Sequence, residues 1–348
     1  MSCRIGLDVS GGDHAPEEIF KGAVLAKKEY NEDIVLIGVK EEIEEQARKH
    51  KVDLKDFEVV HAPEKIEMAE APGTSIRRKK NSSIVIGAQL LKEKKIDAFV
   101  SCGNTGAAVG AATLIIGLIE GIERPGIGIA IPTREGASLI IDVGANVVPK
   151  PLHLFQYGIM AAVYCEVVFN RQNPTVGLLN IGEEETKGSD FVKYVHKLFT
   201  ASSLNFKGNL EAKQMFSGQC DCIVCDGFVG NVALKVTEGC AETMGKFLFD
   251  TIMKDPLGLL GLLLIKRSLG KFKRILDYAE YGGAPLLGVD GVVIIGHGRS
   301  NAVAVKNAVR VAIHEVKHEI NAKIKRRIDE IYQNEDFKKL LDVQAQRS

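Results

Sequence analysis

The sequence of 348 residues has no tryptophan, no net charge and no dense set of cysteines. Its 45 basic residues balance 45 acidic ones, whereas proteins that bind duplex nucleic acid usually carry a basic excess, so nucleic acid is not an expected partner. Its seven cysteines do not form the framework of a small disulfide-stabilised secreted domain. The start, MSCRIGLDVS, lacks the basic and apolar segments of a secretory signal, which favours a reducing, cytoplasmic location.

Several motifs that carry chemistry are also missing. The absence of G-x-G-x-x-G and G-x-x-x-x-G-K-[ST] disfavours an ordinary dinucleotide-binding fold and a P-loop ATPase, and no G-x-S-x-G elbow indicates a covalent acyl enzyme. Cys220, Cys222 and Cys225 resemble a metal cluster, but on a strand the third faces away from the first two. No histidine pair completes a zinc pattern. We interpret these cysteines as buried small hydrophobic residues and expect no metal and no cofactor.

The chain does contain short runs rich in Val and Ile, which alternate with helical patterns. Several runs are apolar at consecutive positions, as in strands covered on both faces of a parallel sheet. The alternation predicts a three-layer α/β/α sandwich with a mostly parallel sheet. No repeat or linker marks a boundary, so residues 1–348 are expected to form a single large α/β catalytic domain, with a division into two lobes left open. Predicted strands cover 4–9, 33–39, 57–61, 96–101, 126–131, 138–143, 175–181, 221–225 and 289–295, and predicted helices cover 16–30, 41–50, 82–92, 104–118, 151–169, 187–199, 229–249 and 300–325.

Seven predicted strand ends carry glycine next to small polar or charged residues. Glycine lets the backbone approach a ligand closely, and a helix that begins after such a loop offers N–H groups to an anion. Ligands of open α/β sheets bind at the carboxyl ends of strands. The set therefore predicts an extended phosphate-binding site that includes Gly11, Gly12 and Gly103. The loops cover 8–16, 101–107, 141–146, 178–189, 205–209, 225–231 and 294–302.

Two of these loops contain candidate phosphate ligands. Asn104 and Thr105 can donate hydrogen bonds to a phosphate or cap the helix that follows, and both alternatives remain open. Lys187, Gly188 and Ser189 form a second candidate clamp in a predicted helix start. A lysine in the first turn of a helix is electrostatically unfavourable, and this local conflict favours a functional role for Lys187.

Two other loops contain candidate catalytic residues. Asp226, Asn231 and Lys235 follow a predicted buried strand, and the i, i+4 spacing of the last two places them on one helix face. Asp226 can act as a base, orient a ligand or form a turn. His297 lies between two glycines before a predicted helix, and a neutral imidazole can exchange a proton near neutral pH.

Seven segments follow one another in a recognisable order: GGDHAP, IRRKKNSS, CGNTGA, IDVGAN, LLNIGEEETKG, CDGFVGN and EYGGAPLLGVDGVVIIGHG. Together they resemble the bacterial phosphate acyltransferases of the PlsX family, over nearly the whole chain. The family usually has D-A-M-G-G-D where this chain has DVSGGD, and S-A-G-N-T-G where it has SCGNTG. Ser10 and Cys102 are small, so the loop shapes are expected to survive these changes.

The resemblance implies a reaction, a fold and partners. An acyl group moves from acyl-acyl carrier protein to inorganic phosphate, and the acyl phosphate feeds phospholipid synthesis through a membrane glycerol-phosphate acyltransferase. The implied fold is similar to that of the phosphate acetyltransferases and the isocitrate/isopropylmalate dehydrogenases, and the implied assembly is a homodimer. The stretch TKGS at 186–189 also looks like a stretch near the phosphate site of phosphate acetyltransferases.

Phosphate dianion is already a nucleophile, so this reaction needs positioning and oxyanion stabilisation rather than a covalent intermediate. We expect the loop of Asn104 and Thr105, with Lys187 and Ser189, to bind phosphate. Backbone N–H groups and Asn231 or Lys235 are expected to stabilise the oxyanion. His297 or Asp226 is expected to transfer the proton.

Two further segments point to partners. The basic run Arg77, Arg78, Lys79 and Lys80 could dock the acidic carrier protein, although a solvated basic turn is an equal alternative on charge alone. Residues 250–276 form an apolar and then basic segment, too short in its apolar part for a bilayer crossing, which needs about 20 residues. It either packs as core or dimer interface, or protrudes onto anionic lipid. We expect lipid contact, through Leu257, Leu260, Leu263, Lys266 and Lys271.

Three other functions compete with this interpretation. A phosphate acetyltransferase-like enzyme would use acyl-coenzyme A as the donor. A metal- and NAD-dependent decarboxylating dehydrogenase of the same fold would need a carboxylate cluster, for which the sequence offers only Asp221 and Asp226, on opposite faces of one strand. A non-enzymatic acyl-binding module would not need polar residues at so many strand ends.

Overall fold

The computed structural model describes residues 2–254, 256–276 and 282–334. Its strands are β1 (Arg4–Asp8), β2 (Asp33–Gly38), β3 (Glu58–His61), β4 (Ala98–Ser101), β5 (Gly126–Thr133), β6 (Gly136–Ile141), β7 (Thr175–Asn180), β8 (Asn205–Glu211), β9 (Cys222–Val224), β10 (Ala284–Leu287) and β11 (Val292–Ile295). Within the described residues they form one sheet of eleven strands in the order β3-β2-β1-β4-β11-β10-β5-β6-β9-β7-β8.

Helices cover both faces of this sheet. They are α1 (Glu17–Tyr30), α2 (Lys40–His50), α3 (Pro72–Arg78), α4 (Ser83–Lys92), α5 (Thr105–Ala111), α6 (Pro151–Val168), α7 (Asp190–Thr200), α8 (Gly227–Met253), α9 (Pro256–Leu276), α10 (Ala302–Lys317) and α11 (Ile320–Gln333). Helices α1, α2, α6, α7, α10 and α11 pack on one face, and α3, α4 and α5 pack on the other. The predicted three-layer α/β/α sandwich is confirmed.

Strand β2 shows why apolar residues occupy consecutive positions. Ile34 and Leu36 point into the core on one face, whereas Val35 and Ile37 point into the core on the other. All four are at most 2% exposed. A strand covered on both faces has no polar side, so the usual alternation of polar and apolar residues is absent.

The sheet is mostly parallel but changes direction near its middle. Seven of its ten strand pairs are parallel, and three antiparallel pairs connect β11, β10, β5 and β6. These three reversals make β6, β9, β7 and β8 run opposite to β1, β4 and β11. The two parallel parts of the sheet are thus joined through β10 and β5.

Some element predictions were wrong. The predicted loop at 205–209 lies inside β8, and β10 was not predicted because it has only four residues and includes Pro285. The predicted helix 300–325 is two helices, separated where Glu319 adopts a left-handed φ of 51°. The α-helical turns of α5 end at Ala111, and the chain continues as a wider π-helical segment over Ala112–Ile116.

Helices α8 and α9 differ from the other long helices in their exposure. In α8 the buried residues are Gly227 and Gly230, both at its start. Large apolar side chains are exposed farther along α8 and in α9; they include Val236, Met244, Phe247 and Phe249 of α8 and Leu257 and Leu264 of α9. The side chains of Leu260, Leu263 and Lys271 lie outside the described residues. Among the described helices, none is both long and apolar enough to cross a membrane.

Candidate functional site

A buried carboxylate joins the carboxyl ends of β1 and β4. The Asp8 Oδ2 accepts a hydrogen bond of 2.7 Å from Ser101 Oγ, and its Oδ1 accepts one of 3.2 Å from the Ser10 N–H. The Ser101 Oγ also accepts from the Gly103 N–H at 3.1 Å. Burial raises the pKa of Asp8, although these hydrogen bonds act in the opposite direction. One polar cluster thus fixes two loops in relation to each other.

The predicted glycines at these strand ends serve loop packing. A Cβ on Gly11 would lie 2.4 Å from Asp8 Oδ2 and 2.8 Å from the Gly103 backbone N. Gly12 has a φ of 113°, and the next residue, Asp13, donates its N–H to the Gly298 carbonyl at 2.8 Å. The loops after β1, β4 and β11 are therefore held in direct contact.

The Asn104 side chain is engaged inside the protein. Its Oδ1 accepts from the Ala107 N–H, and its Nδ2 donates to the carbonyls of Glu67, Met68 and Glu70 at 3.0–3.1 Å. Of the two alternatives left open for Asn104, the structure favours helix capping. Thr105 is exposed at the start of α5.

A second buried carboxylate organises the loop after β6. The Asp142 Oδ1 accepts from the N–H groups of Ile127 and Ala145, and its Oδ2 accepts from the Asn146 N–H at 2.7 Å. A Cβ on Gly230 would lie 2.0 Å from the Asp142 carbonyl oxygen. Glycine at this position lets the first turns of α8 pack directly on the loop.

These loops enclose a cavity of about 430 Å³, within the usual range for small-molecule sites. Its floor is apolar and comes mainly from Ile127 and Ile129 of β5, Ile295 of β11, Val143 and Leu234. Its polar rim consists of Asp13, Thr105, Asn231, Lys235, Glu238, His297 and Ser300. We call this space the reacting cavity; it combines an apolar compartment with hydrogen-bonding and charged groups.

His297 has a defined hydrogen-bonding state in this rim. Its Nδ1 accepts from the Arg299 N–H at 3.1 Å, so the neutral ring carries its proton on Nε2. Burial is the largest cause that lowers the His297 pKa, followed by the positive charge of Lys235, while Glu238 opposes both. The Lys235 Nζ lies 2.8 Å from Glu238 Oε2. The ring is therefore held as a neutral Nε2–H donor.

Cys102 lies directly behind this loop. A Cβ on Gly296 would lie 2.3 Å from the Cys102 Sγ. Burial raises the pKa of the Cys102 thiol to about 12. Because the thiolate is the nucleophilic form, this cysteine is not suited to attack a substrate.

The structure places the 187–189 clamp and Asp226 elsewhere. The Ser189 Oγ accepts from the Val192 N–H at 3.4 Å and caps α7, and Asp226 caps α8 through the Val229 N–H at 2.8 Å. Both border a second cleft. Gly188 has a φ of 87°, and a Cβ there would lie 2.5 Å from Asn180 Oδ1.

The predicted helix start at Lys187 is wrong, because α7 begins at Asp190. Lys187 is an exposed residue of the preceding loop, so the electrostatic conflict with a helix dipole does not arise. The i, i+4 prediction for Asn231 and Lys235 is confirmed, since both side chains face the reacting cavity.

The basic run lies at the C-terminal end of α3. Arg77, Arg78 and Lys80 are exposed, whereas Lys79 pairs with Glu70 and donates to the Lys65 carbonyl. Lys79 and Ser75 hold the pKa of the Glu70 carboxyl at about 2. Because the Glu70 carbonyl also accepts from Asn104, this network connects the basic run to the cavity wall.

The three clustered cysteines diverge, but not to the predicted sides: Cys222 packs in the core on one face of the sheet, whereas Cys220 and Cys225 pack in the core on the other. Cys220 lies before β9, which begins at Cys222, so strand alternation does not set its direction. Cys220, Cys222 and Cys225 are at most 5% exposed. The Cys222 Sγ lies 3.3 Å from the Cys165 Sγ, whereas the Cys225 Sγ contacts the Asp142 carbonyl at 3.4 Å.

The carboxylates of Asp221 and Asp226 also lie apart. Asp221 accepts from the Thr175 N–H and Oγ at 2.8 and 2.7 Å before β9 begins, and Asp226 follows the end of that strand. They do not form a shared carboxylate cluster.

Sequence reasoning missed several contributors. Asp13 stands within GGDHAP, and Glu238 follows Lys235 by three residues, so motif and helix spacing could have found both. The sequence did not indicate that β5 contributes to the cavity floor, because Ile127 and Ile129 have the pattern of an ordinary buried strand. Asp142 stands in the quoted IDVGAN segment, but only its contacts show that it organises the loop.

Comparison with known proteins identifies a matching family model and close relatives of this chain. A protein-family model described as "Fatty acid synthesis protein" matches residues 3–323. A protein named phosphate acyltransferase from Dictyoglomus turgidum is 49% identical over 92% of this chain and 96% of its own length. Another of that name, from Aquifex aeolicus, is 46% identical over 92% of this chain and 95% of its own length.

Solved structures with low sequence identity share the fold. A phosphotransacetylase from Streptococcus pyogenes has a TM-score of 0.63 at 15% identity, covering 91% of this chain and 94% of that protein. A 4-hydroxythreonine-4-phosphate dehydrogenase from Klebsiella pneumoniae has a TM-score of 0.53 at 11% identity, covering 90% and 98%. At such identities the likeness concerns the fold alone.

Proposed function

This chain belongs to the fatty acid synthesis protein family, whose curated relatives are phosphate acyltransferases, and from that premise we propose that it transfers a fatty acyl group from acyl-acyl carrier protein to inorganic phosphate. The chain is an acyltransferase by family. The donor and the use of the product in phospholipid synthesis are the proposal. The observation that carries it is the reacting cavity, whose polar rim suits phosphate and a thioester and whose apolar floor suits the start of an acyl chain.

The proposed step needs no group beyond the substrates and the rim. A phosphate oxygen attacks the thioester carbonyl carbon, a C–O bond forms, the C–S bond breaks, and the phosphate proton passes to the departing sulfur. The Thr105 hydroxyl and the Lys235 ammonium hold phosphate. The Asn231 amide and the His297 Nε2–H donate to the developing oxyanion. Asp226 caps α8 and takes no part.

The basic run at the end of α3 is the proposed docking surface for the acidic carrier protein. Arg77, Arg78 and Lys80 are exposed, and Lys79 ties their segment to the cavity wall through Glu70. Reversing Arg77 and Arg78 to Glu is expected to raise the KM for the carrier-protein donor and its salt dependence. The KM for an acyl-coenzyme A donor should change less. An equal change for both donors would count against docking.

Helices α8 and α9 are proposed to contact lipid and a second copy of the chain. Leu257 is 79% and Leu264 83% exposed, and Lys266 and Arg267 are exposed close by. An amphipathic pair of this kind suits the surface of an anionic membrane, where the downstream membrane acyltransferase would receive the product. The exposed apolar side chains of α8 beyond its first turns, which include Val236, Met244, Phe247 and Phe249, are the proposed homodimer contact.

Changing Leu257 and Leu264 to Glu tests the lipid contact. The double variant is expected to lose binding to anionic liposomes and to keep its activity on a water-soluble donor. Loss of the dimer in sedimentation, with unchanged lipid binding, would assign these leucines to the subunit contact instead.

The deciding experiment measures thiol release from palmitoyl-acyl carrier protein with and without phosphate, with palmitoyl-coenzyme A in parallel. Phosphate-dependent release from the carrier protein, with acyl phosphate trapped by hydroxylamine, is the expected result. Release only from the coenzyme A donor would favour a phosphotransacetylase-like enzyme, the second candidate, which shares the fold. No release from either donor would overturn the proposal.

A further inference from the structure

A second cleft borders the first turn of α8, and none of the residues that line it also lines the reacting cavity. Its volume is about 460 Å³. One wall is the loop after β6, with Val147 and Val148, and the other is the first turn of α8, with Phe228 and Val229. Val148 is 92% and Phe228 60% exposed. Large apolar side chains gathered at one place on the surface commonly mark a binding site.

The polar side chains that line this cleft are engaged in helix capping. The Ser189 Oγ accepts from the Val192 N–H, and the Asp226 Oδ1 accepts from the Val229 N–H. Asp226 also brings a negative charge to the cleft, which opposes an anion. The chemistry of the cleft therefore suits an uncharged apolar ligand better than phosphate.

The same loop and the same helix border both spaces. Val143 and Gly144 line the reacting cavity, and three residues farther along the loop enters the cleft. The Gly227 N–H donates to the Asn146 carbonyl at 2.9 Å, which holds this loop against the helix. The two spaces therefore lie on neighbouring parts of one loop and one helix.

We propose that the cleft formed by Val147, Val148, Phe191, Phe228 and Val229 receives the distal methylenes of the acyl chain, and that it sets the chain-length preference. This inference rests on the proposed function. Short chains end within the reacting cavity, so the cleft contributes nothing to their binding. Long chains bury additional methylenes in the cleft, and each buried methylene increases affinity several-fold.

The test compares butyryl and palmitoyl chains on the same acyl carrier protein, using Val148→Asp and Phe228→Asp. Position 148 is a surface loop, and an acid in the first turn of α8 suits the helix dipole, so both variants should fold with an unchanged Tm. The kcat/KM for the palmitoyl donor is expected to fall about tenfold or more. The value for the butyryl donor should stay within about twofold.

Leu114→Asp is the matched control, because Leu114 is 66% exposed and is not among the described residues that line either space. It should affect neither donor. Equal losses for both chain lengths, with or without loss of a dimer, would overturn the inference, as would no loss at all. Absence of phosphate-dependent release by the unmutated protein would instead refute the proposed function, so the two failures are distinguishable.

Discussion

The reacting cavity and the apolar cleft share a loop and a helix but differ in what their polar side chains do. In the reacting cavity, Asn231, Lys235 and His297 face a space bordered by an apolar floor. In the cleft, Ser189 and Asp226 are engaged as helix caps. Polar residues close together in sequence, such as Asp226 and Asn231, can therefore belong to different spaces. Nearness along the chain does not identify a shared site.

The largest expected effect separates the two candidate phosphate lysines. Lys235→Ala should lower kcat/KM for phosphate by about 10²–10³, because it removes a cation from the rim of the reacting cavity. Lys187→Ala should have a much smaller effect, because Lys187 is exposed in the loop before α7. Initial rates at varied phosphate check both. The reverse order of effects would move the phosphate site to the 187–189 loop.

A substitution at a tightly packed glycine should lower the activity almost as strongly as Lys235→Ala. Gly11→Ala places a methyl group 2.4 Å from Asp8 Oδ2, so the loops that carry Asp13 and Thr105 must shift. Overpacking of this kind costs about 1–3 kcal/mol, and displaced substrate groups can cost about 10² in rate. Gly73→Ala is the control, since nothing lies within 4 Å of its Cβ position. Similar Tm and kcat values for the two variants would contradict this prediction.

The acid limb of the pH–rate profile should lie below the ordinary histidine value of about 6.5. Protonation of His297 at Nδ1 would break its bond from the Arg299 N–H, and burial and Lys235 lower its pKa. Glu238→Gln removes a charge that raises this pKa, so the limb should move to lower pH. Arg299→Gln removes a charge that lowers it, so the limb should move to higher pH. Two shifts in the same direction would show that another group controls the limb.

The smallest effect concerns a residue of the cleft. Ser189→Ala should lower stability by about 1 kcal/mol through loss of the α7 cap, with the KM for phosphate unchanged. Ser189→Asp keeps a capping oxygen and adds a negative charge, so stability should recover without a change in that KM. A sharp rise in the phosphate KM of the Asp variant would place phosphate at Ser189.

Much of the fold could be predicted because periodicity and burial are coupled in a covered sheet. The paired cores on β2 follow from its uninterrupted apolar residues. Strand β10 was not predicted, because four residues that include a proline are too few to show a strand pattern. At the site, the i, i+4 spacing of Asn231 and Lys235 was sufficient to predict that both side chains share one helix face, since helix geometry is local.

The sequence by itself determined the layers, the glycine-rich strand ends and the family resemblance, because these depend on local spacing and composition. Only the tertiary structure decided which strand ends meet. Three antiparallel pairs reverse the sheet near its middle, and the loops after β4, β6 and β11 converge over β5. Tertiary contacts also decided that the Asn104 side-chain amide is engaged inside the protein while His297 borders a cavity. The role of a hydrogen-bonding side chain depends on partners that are distant in sequence, as with Asn104 and Glu67. Local sequence patterns do not identify such partners.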